Sequence, residues 1–403
     1  MRVIGLMSGT SHDAVDAAAA DLVIDGDTLF LTPLGMVGEP YPEELRTALV
    51  AALPPAATTM REVCLLDTLI GQTFASLAVR ADRELCGGSA DLVVSHGQTV
   101  HHWTEHGRVR GTLQIGAPAW IAEATGRPVV SGLRTRDVAA GGQGAPLVSV
   151  VDVMWLRGRP GVPVALNLGG IANITVAAEA CDPVAFDTGP ANALIDAAVH
   201  HLTGGALAYD ENGALASRGT VDDALLRRLA AEPYYSAPPP KTTGKELFHL
   251  PYLLSLLDGS PSSHGRPCVE DVVATLTRLT ALTVADAARS VHATEVIASG
   301  GGTRNPVLMS MLRTELRGVP LRGSDELGLP SAAKEAYAFA VLGFLTAHGL
   351  PGTLPTCTGA RHPSVLGSLT PGDRGFHLPE PVRTAPVRLR VAASPGRDAS
   401  GPA

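Results

Sequence analysis

The run FDTGPANALID, residues 186 to 196, places one carboxylate, Asp187, directly after a short apolar stretch. A carboxylate at the end of a buried strand is partly desolvated and can take a proton from a hydroxyl or a water. The same residues suit a helix start, since Asp or Thr ahead of Gly-Pro makes an N-cap. Both roles fit if Thr188 caps while Asp187 faces a substrate. Upstream, NLGGIANIT carries the Gly169-Gly170 turn, whose backbone N–H groups can approach an anion closely. The N-terminal GLMSGTSHDAVD repeats the device. Gly9 can form the turn, Ser8, Thr10 and Ser11 add hydroxyls, and Asp13 and Asp16 can hold Mg²⁺ through water. An ordinary hairpin with solvated acids is the competing reading. Neither the G-x-x-x-x-G-K-S/T loop nor G-x-G-x-x-G is present in that stretch.

Further along, IASGGGTRNPVL opens a strand into Gly300, Gly301 and Gly302, with Asn305 before the next helix. Missing side chains there let a flat ring slide against backbone, so an adenosine site is sensible; a plain strand-to-helix loop is the alternative. VVSHGQTVHH and VVSGLRTRDVAAGGQGAPL bring His96, Gln98, Arg134, Arg136 and Asp137 to strand ends. Paired arginines suit a sugar carboxylate, because guanidinium forks match it with two parallel hydrogen bonds. A lone histidine more often serves the fold. Lys241, in PPPKTTG, can reach a phosphate or an acceptor, or lie on a surface loop.

These groups need a framework. The chain has 403 residues, enough for two lobes that each bury a core. It is rich in Ala, Gly and Pro, poor in aromatic residues, and carries a formal charge of −8. That composition favours a folded α/β protein and gives no electrostatic reason to expect nucleic acid or an anionic membrane as partner. The five cysteines are scattered and form no C-x-x-C pair, which fits a reducing, cytoplasmic setting. Patterning predicts strands at 3–7, 14–23, 91–95, 164–168, 173–178, 183–186 and 295–299. Helices are expected at 63–85, 191–201, 269–290, from about 305, and at 332–345. Strand, glycine turn, strand thus occurs at the start of each half. Beyond Gly372 the chain is Pro-, Arg- and Ser-rich and reads as a flexible tail.

Together these stretches resemble one family, the anhydro-N-acetylmuramic acid kinases of bacterial cell-wall recycling. The resemblance is carried by GLMSGTSHDAVD (5–16), SHGQTV (95–100), LRTRDVAAGGQGAPLV (133–148), NLGGIANIT (167–175) and FDTGPANALID (186–196). PPPKTTGKELF (238–248), DVVATLTRLTA (271–281), SGGGTRNPVL (299–308) and KEAYAFAVLG (334–343) continue it, so that it covers roughly residues 1 to 371. It implies the two-lobed α/β fold of actin-like proteins and sugar kinases, built on the ribonuclease H-like motif, with ATP in a central cleft. The lobes would be 1–132 with about 352–371, and 133–351. It implies ATP and Mg²⁺ as cofactors, an anhydro-amino-sugar acceptor, and a homodimer.

Carried onto this sequence, the resemblance makes Asp187 the general base. Gly9, Thr10, Ser11, His12, Asp13, Ala14, Val15 and Asp16, with Gly169 and Gly170, would flank the phosphates. Gly300, Gly301, Gly302 and Asn305 would lie by the adenosine, and His96, Gln98, Arg134, Asp137 and Glu335 by the sugar. The chain departs from the family at His12 and Ala14, where a bulky apolar residue and a glycine are common. It departs again at Ser131-Gly132-Leu133-Arg134, where the family has SDFR. Two rival functions share these motifs: an ordinary hexose or amino-sugar kinase, and a non-enzymatic ATP-gated binder.

Overall fold

The computed structural model describes residues 1–392, apart from 10, 55, 106–107, 180–181, 240, 245–246, 258–267, 374 and 376–377. It divides into two compact units: Met1–Trp155 with Leu327–Leu329 and Ala333–Ala403, and Leu156–Glu326 with Pro330–Ala332. In chain order the first unit contributes β1 (Arg2–Met7), β2 (Ala14–Asp25), β3 (Thr28–Pro40), α1 (Glu43–Ala52) and α2 (Met60–Cys86). It continues with β4 (Leu92–Ser95), β5 (Gln98–Glu105), β6 (Arg108–Ile115), α3 (Pro118–Thr125), β7 (Val129–Ser131), α4 (Thr135–Ala139) and α5 (Ser149–Leu156). The second unit holds β8 (Pro163–Leu168), β9 (Ile171–Val176), β10 (Val184–Pro190), α6 (Asn192–Leu202), α7 (Asp223–Ala230), α8 (Leu250–Leu257) and α9 (Val269–Ser290). Then come β11 (Glu295–Ser299), α10 (Pro306–Glu315) and β12 (Leu321–Gly323). The chain returns through α11 (Lys334–Ala347), α12 (Pro355–Thr358), β13 (Ser368–Thr370) and β14 (Arg388–Val391).

The sheet order is β13-β7-β4-β1-β2-β3-β14 in the first unit and β10-β9-β8-β11-β12 in the second. In each, three antiparallel strands in sequence are followed by two parallel ones: β1 pairs with β2 antiparallel and β4 parallel, and β8 pairs with β9 antiparallel and β11 parallel. The strand-turn-strand repeat in the sequence is therefore the start of one motif used twice. This duplication is the α/β architecture that the family resemblance implies.

Local chemistry explains the elements. A capping box opens α2, with Thr59 Oγ1 accepting from the Glu62 N–H while Glu62 accepts from the Thr59 N–H. Gly87, at φ 61°, closes it. By length and composition α2 is apolar enough to cross a membrane. Here Leu66, Ile70, Phe74, Leu77 and Ala81 bury one face of it in the first unit's core. Helix α11 lies directly on the sheet because two glycines allow it. A Cβ on Gly5 of β1 would stand 2.0 Å from the Ala336 carbonyl oxygen, and one on Gly343 would stand 2.1 Å from Val94 of β4. Strands β1 and β4 lead to two of the glycine- and histidine-bearing turns, so this packing sets α11 against both.

The units divide elsewhere than at residues 132 and 352. Residues 133–155 and α11 group with the first unit. The ties are specific: Thr358 Oγ1 donates to Asp137 Oδ1 (2.7 Å), the Gln143 N–H to Thr358 O (2.8 Å) and the Arg361 N–H to Ala140 O (3.0 Å). The expected flexible tail beyond Gly372 is corrected at one place, while its residues 393–403 lie outside the described residues. Residues 388–391 form β14, parallel to β3, with Leu389 buried and Arg388 paired with Asp27 at 2.6 Å.

Candidate active site

In the first unit, β1 and β4 run side by side and deliver Ser8 and His96 to one end of the sheet; the His96 N–H donates to Leu6 O (3.0 Å). Gln98 is fully buried there. Its oxygen accepts from Ser8 Oγ (2.8 Å) and Tyr41 OH (3.1 Å), the serine sharing its proton with the Ala14 carbonyl (2.8 Å). Its Nε2 donates to Gly9 O and Thr99 O, both at 3.2 Å. All four of its hydrogen-bonding positions are thus used inside the protein. Gln98 braces the Ser8–Ala14 turn, in place of the sugar contact expected of it. Thr10 lies outside the described residues. Ser11 Oγ donates to Asp13 Oδ1 (2.6 Å), and His12 is buried at φ 56°, with its carbonyl accepting from Arg46 Nε (3.2 Å). Val15 points its side chain into the core. Asp16 follows Asp13 by three residues on β2 and is half-buried.

Around His96 the proton positions follow from the partners. Nδ1 donates to Gly97 O (2.8 Å), which leaves Nε2 to accept from Arg134 Nε (2.9 Å). The imidazole is therefore neutral, and burial with the neighbouring Arg134 charge holds its pKa well below the usual value. Arg134 Nη1 donates to Gly144 O (2.7 Å). Burial pulls the Arg134 pKa down to about 10, opposed by Glu335 and Asp137, so it is charged at neutral pH. Both side chains rest on Phe339: the His96 ring at 4.6 Å between centroids, and the Arg134 guanidinium carbon at 6.0 Å from the ring centroid. Phe339 is one helical turn beyond Glu335, so α11 presents both on one face. Asp137 is fully buried and accepts from Thr358 Oγ1 and from the Gly144 N–H (2.8 Å). It fixes the loop that gives Arg134 its carbonyl partner. Gly132, the departure from SDFR, sits at φ 64° with open space where a Cβ would be.

Neutral His96 carries a stability consequence. The unfolded chain takes up this proton near pH ~6.5 and the folded chain only well below it. Its contribution is fully present above about pH 6.5 and is lost as pH falls, by at most about 1.4 kcal/mol per pH unit. Denaturant titrations from about pH 7 to about pH 5 should show that slope, and His96→Gln should reduce it by up to one proton. An unchanged slope in the variant would show that His96 titrates normally. His102, lowered first by burial and then by Arg134, contributes in both proteins.

In the second unit, Asp187 lies within β10 and not at its end, since the strand continues to Pro190. Its pairing with Asn173 of β9 is followed by an irregularity before Gly189. The loop 241–243 closes over it. Thr242 Oγ1 (2.8 Å) and the Thr243 N–H (2.9 Å) both donate to Asp187 Oδ2, and the Asp187 N–H donates to Lys241 O (3.1 Å). Tyr234 OH donates to the Asp187 carbonyl (2.9 Å). Lys241 Nζ donates to the carbonyls of Tyr234 (3.1 Å) and Tyr235 (2.9 Å) and stands over the Tyr234 ring at 4.8 Å. Burial lowers its pKa, opposed by Asp187. Lys241 is thus a clip for the loop that holds the carboxylate. The helix start at α6 is not capped by Thr188, whose hydroxyl donates to Ala172 O (3.2 Å).

The glycine turns of this unit come together at the ends of β8 and β11. Gly169 O accepts from the Asn192 N–H, and Gly170 O from those of Ala191 and Ala193, so the head of α6 stiffens the turn. Gly300 adopts φ 88°, and a Cβ there would stand 2.5 Å from Asn167 Oδ1. A Cβ on Gly302 would stand 2.8 Å from that of Leu168, whereas Gly301 is exposed with open space beside it. Asn305 is spent as a helix cap, its oxygen accepting from the N–H groups of Val307 (3.0 Å) and Leu308 (3.1 Å). Thr242, Thr243, Tyr234 and Phe339 were not identified from the sequence. Thr242 and Thr243 stand in the PPPKTTG stretch, and Phe339 in KEAYAFAVLG at i+4 from Glu335, but those stretches do not mark their roles; Tyr234 left no signal.

The described residues contain no group of three or more His, Cys, Asp or Glu side chains able to hold a metal. A divalent ion carried by phosphates needs fewer protein ligands, and the hard carboxylates of Asp13 and Asp16 are of the right chemistry.

Solved structures align at low similarity. A ROK family glucokinase from Streptomyces griseus with glucose and AMPPNP is 14% identical, covering 85% of this chain and 99% of that one, at a TM-score of 0.37. The activator of the 2-hydroxyisocaproyl-CoA dehydratase from Clostridium difficile is 11% identical, covering 85% and 93%, at 0.42. Sequence relatives are far nearer. The anhydro-N-acetylmuramic acid kinase of Streptomyces avermitilis is 70% identical over 389 residues, 96% of this chain and 99% of its own. That of Streptomyces coelicolor is 63% identical, covering 98% and 100%, and that of Cyanothece sp. is 40% identical, covering 92% and 99%. The family model for anhydro-N-acetylmuramic acid kinase matches residues 1–372, and with the motifs set on two copies of one α/β motif, this chain belongs to the anhydro-N-acetylmuramic acid kinase family.

Proposed function

We propose that the chain is an ATP-dependent kinase that uses water to open the 1,6-anhydro ring of anhydro-N-acetylmuramic acid and phosphorylates O6. The product is N-acetylmuramic acid 6-phosphate, formed in cell-wall recycling. The observation that carries the reading is the cradle of Asp187, whose Oδ2 is held by Thr242 and Thr243 so that the carboxylate keeps one orientation. In the anhydro sugar O6 is tied into an ether bridge and has no proton to lose. Asp187 therefore takes a proton from water, whose oxygen bonds to the anomeric carbon. The bond from that carbon to O6 breaks with its electron pair left on O6. O6 then attacks the γ-phosphorus, the bond to the β–γ bridging oxygen breaks, and ADP leaves. Asp187 releases its proton to solvent.

Arg134 would meet the sugar carboxylate; two of its five N–H donors are used by His96 and Gly144. Glu335 and His96 stand beside it. The turns at Gly9–Asp16 and Gly169-Gly170 would offer backbone N–H groups to the phosphates, and the open face at Gly301 would take the adenine ring. Mg²⁺ held by Asp13 and Asp16 would supply charge neutralisation at the phosphoryl oxygens. The reading includes a homodimer in the cytoplasm. Among the described residues the thiols of Cys64, Cys86 and Cys268 suit a reducing compartment.

The test is incubation with ATP, Mg²⁺ and anhydro-N-acetylmuramic acid in ¹⁸O-water. One heavy oxygen in the phosphorylated sugar is expected. Phosphorylation without label would favour an ordinary sugar kinase, and ATP-dependent conformational change without any sugar product would favour a binder.

A further inference from the structure

Lys334 and Asp152 form a buried ion pair that nothing in the chemistry above uses. Lys334 Nζ lies 2.7 Å from Asp152 Oδ1, an ion-pair distance without the alignment of a good hydrogen bond, and both side chains are buried. The ammonium also stands over the Trp155 ring at 5.6 Å. The placement is unusual on two counts. Lys334 opens α11, where the helix dipole disfavours a cation. A buried ion pair is also a poor stabilising device, because desolvation offsets most of its Coulomb attraction. What the pair does supply is a fixed geometry. It ties the first turn of α11 to α5 where the first stretch of the first unit ends, Trp155, and its last stretch begins, Ala333. The next residue is Glu335, whose charge is felt by Arg134, and one turn on is Phe339, on which Arg134 and His96 rest.

We propose that Lys334 is a positioning residue for acceptor recognition: its ion pair with Asp152 and its seat on Trp155 fix the first turn of α11, so that Glu335 stands at a set place beside Arg134. The inference rests on the assignment of Glu335 and Arg134 to the sugar. Packing at Gly5 and Gly343 fixes how deep the helix body lies, while the pair fixes where its first turn points.

The test separates positioning from stability with Lys334→Met, Asp152→Leu and the double variant. The wild-type protein is assayed first with anhydro-N-acetylmuramic acid; absence of phosphorylation there overturns the functional reading and not the role of Lys334. With an active wild type, each single variant should lose thermal stability through its unpaired buried charge, and the double variant should recover the wild-type Tm. Its KM for the sugar should nonetheless stay raised by about tenfold or more, with KM for ATP within about twofold of wild type. That difference corresponds to about 1.4 kcal/mol of acceptor recognition. Recovery of the sugar KM together with Tm would overturn the proposal, since the pair would then serve stability alone. If the double variant fails to fold, Lys334→Arg decides. It keeps the charge but exchanges a compact ammonium for a wide planar fork. A raised sugar KM at wild-type Tm supports the proposal, and an unchanged KM overturns it.

Discussion

Asp187→Asn is expected to fold, to bind ATP and the anhydro-sugar, and to lose between about 10²- and 10⁴-fold of turnover. The cradle explains why the loss should be confined to chemistry. Both donors, Thr242 Oγ1 and the Thr243 N–H, meet the same carboxylate oxygen. An asparagine can turn its carbonyl oxygen to that position and keep both hydrogen bonds. The backbone bonds to Lys241 O and from Tyr234 OH do not involve the side chain and persist. What changes is the other atom of the head group, where an amide nitrogen that cannot take a proton replaces a carboxylate oxygen. A base required to generate the nucleophile is then missing, while the binding surfaces remain. Kinetics and calorimetry on the purified variant check this. Turnover within about tenfold of wild type would remove Asp187 from the mechanism. Loss of both ATP and sugar binding would make it a structural residue of β10.

How much of this was legible in the sequence depends on how far each partner lies along the chain. Asp187 announced itself because an apolar run, a carboxylate and a glycine are neighbours. Its cradle did not, since Thr242 and Thr243 sit some 55 residues away in a loop without periodicity. Helix α9 was read at its true limits, Val269–Ser290, because its apolar face recurs at helical spacing throughout. Strand β3 was missed. Its Pro33, Gly35, Gly38 and Pro40 look like turn residues, yet from Pro33 on the strand lies beyond the reach of β14 along one edge, where proline is tolerated. Strand β14 was hidden for the opposite reason: four residues among prolines and arginines form a strand only because β3, at the far end of the sequence, offers an edge. For Gln98 and Asp137 the sequence marks a polar group at a strand end without saying what satisfies it. Both are satisfied internally, and each holds a loop that carries a candidate contact.

Gly5→Ala should be the most damaging single-methyl change in the first unit, costing about 3 kcal/mol or more of stability and weakening acceptor recognition with it. The added Cβ would stand 2.0 Å from the Ala336 carbonyl oxygen and 2.7 Å from the Ala340 nitrogen. Neither is a side chain that can swing away, so either β1 or the whole of α11 must move. Moving α11 displaces Glu335, the residue before Ala336, along with Phe339, the seat of His96 and Arg134. Gly343→Ala is the instructive contrast. Its Cβ would meet Val94 side-chain carbons at 2.1 and 2.8 Å, and those can be trimmed. Alanine also favours the helix by up to about 1 kcal/mol over glycine. Gly343→Ala with Val94→Ala should therefore regain much of the stability lost by Gly343→Ala alone, and the sugar KM should return with it. No comparable partner exists for Gly5, because backbone atoms are the obstacle. Thermal unfolding and sugar KM across the three variants check the argument. A Gly5→Ala protein with wild-type Tm and KM would mean that α11 does not rest on β1 as closely as these contacts require, and the placement of Glu335 would have to be sought elsewhere.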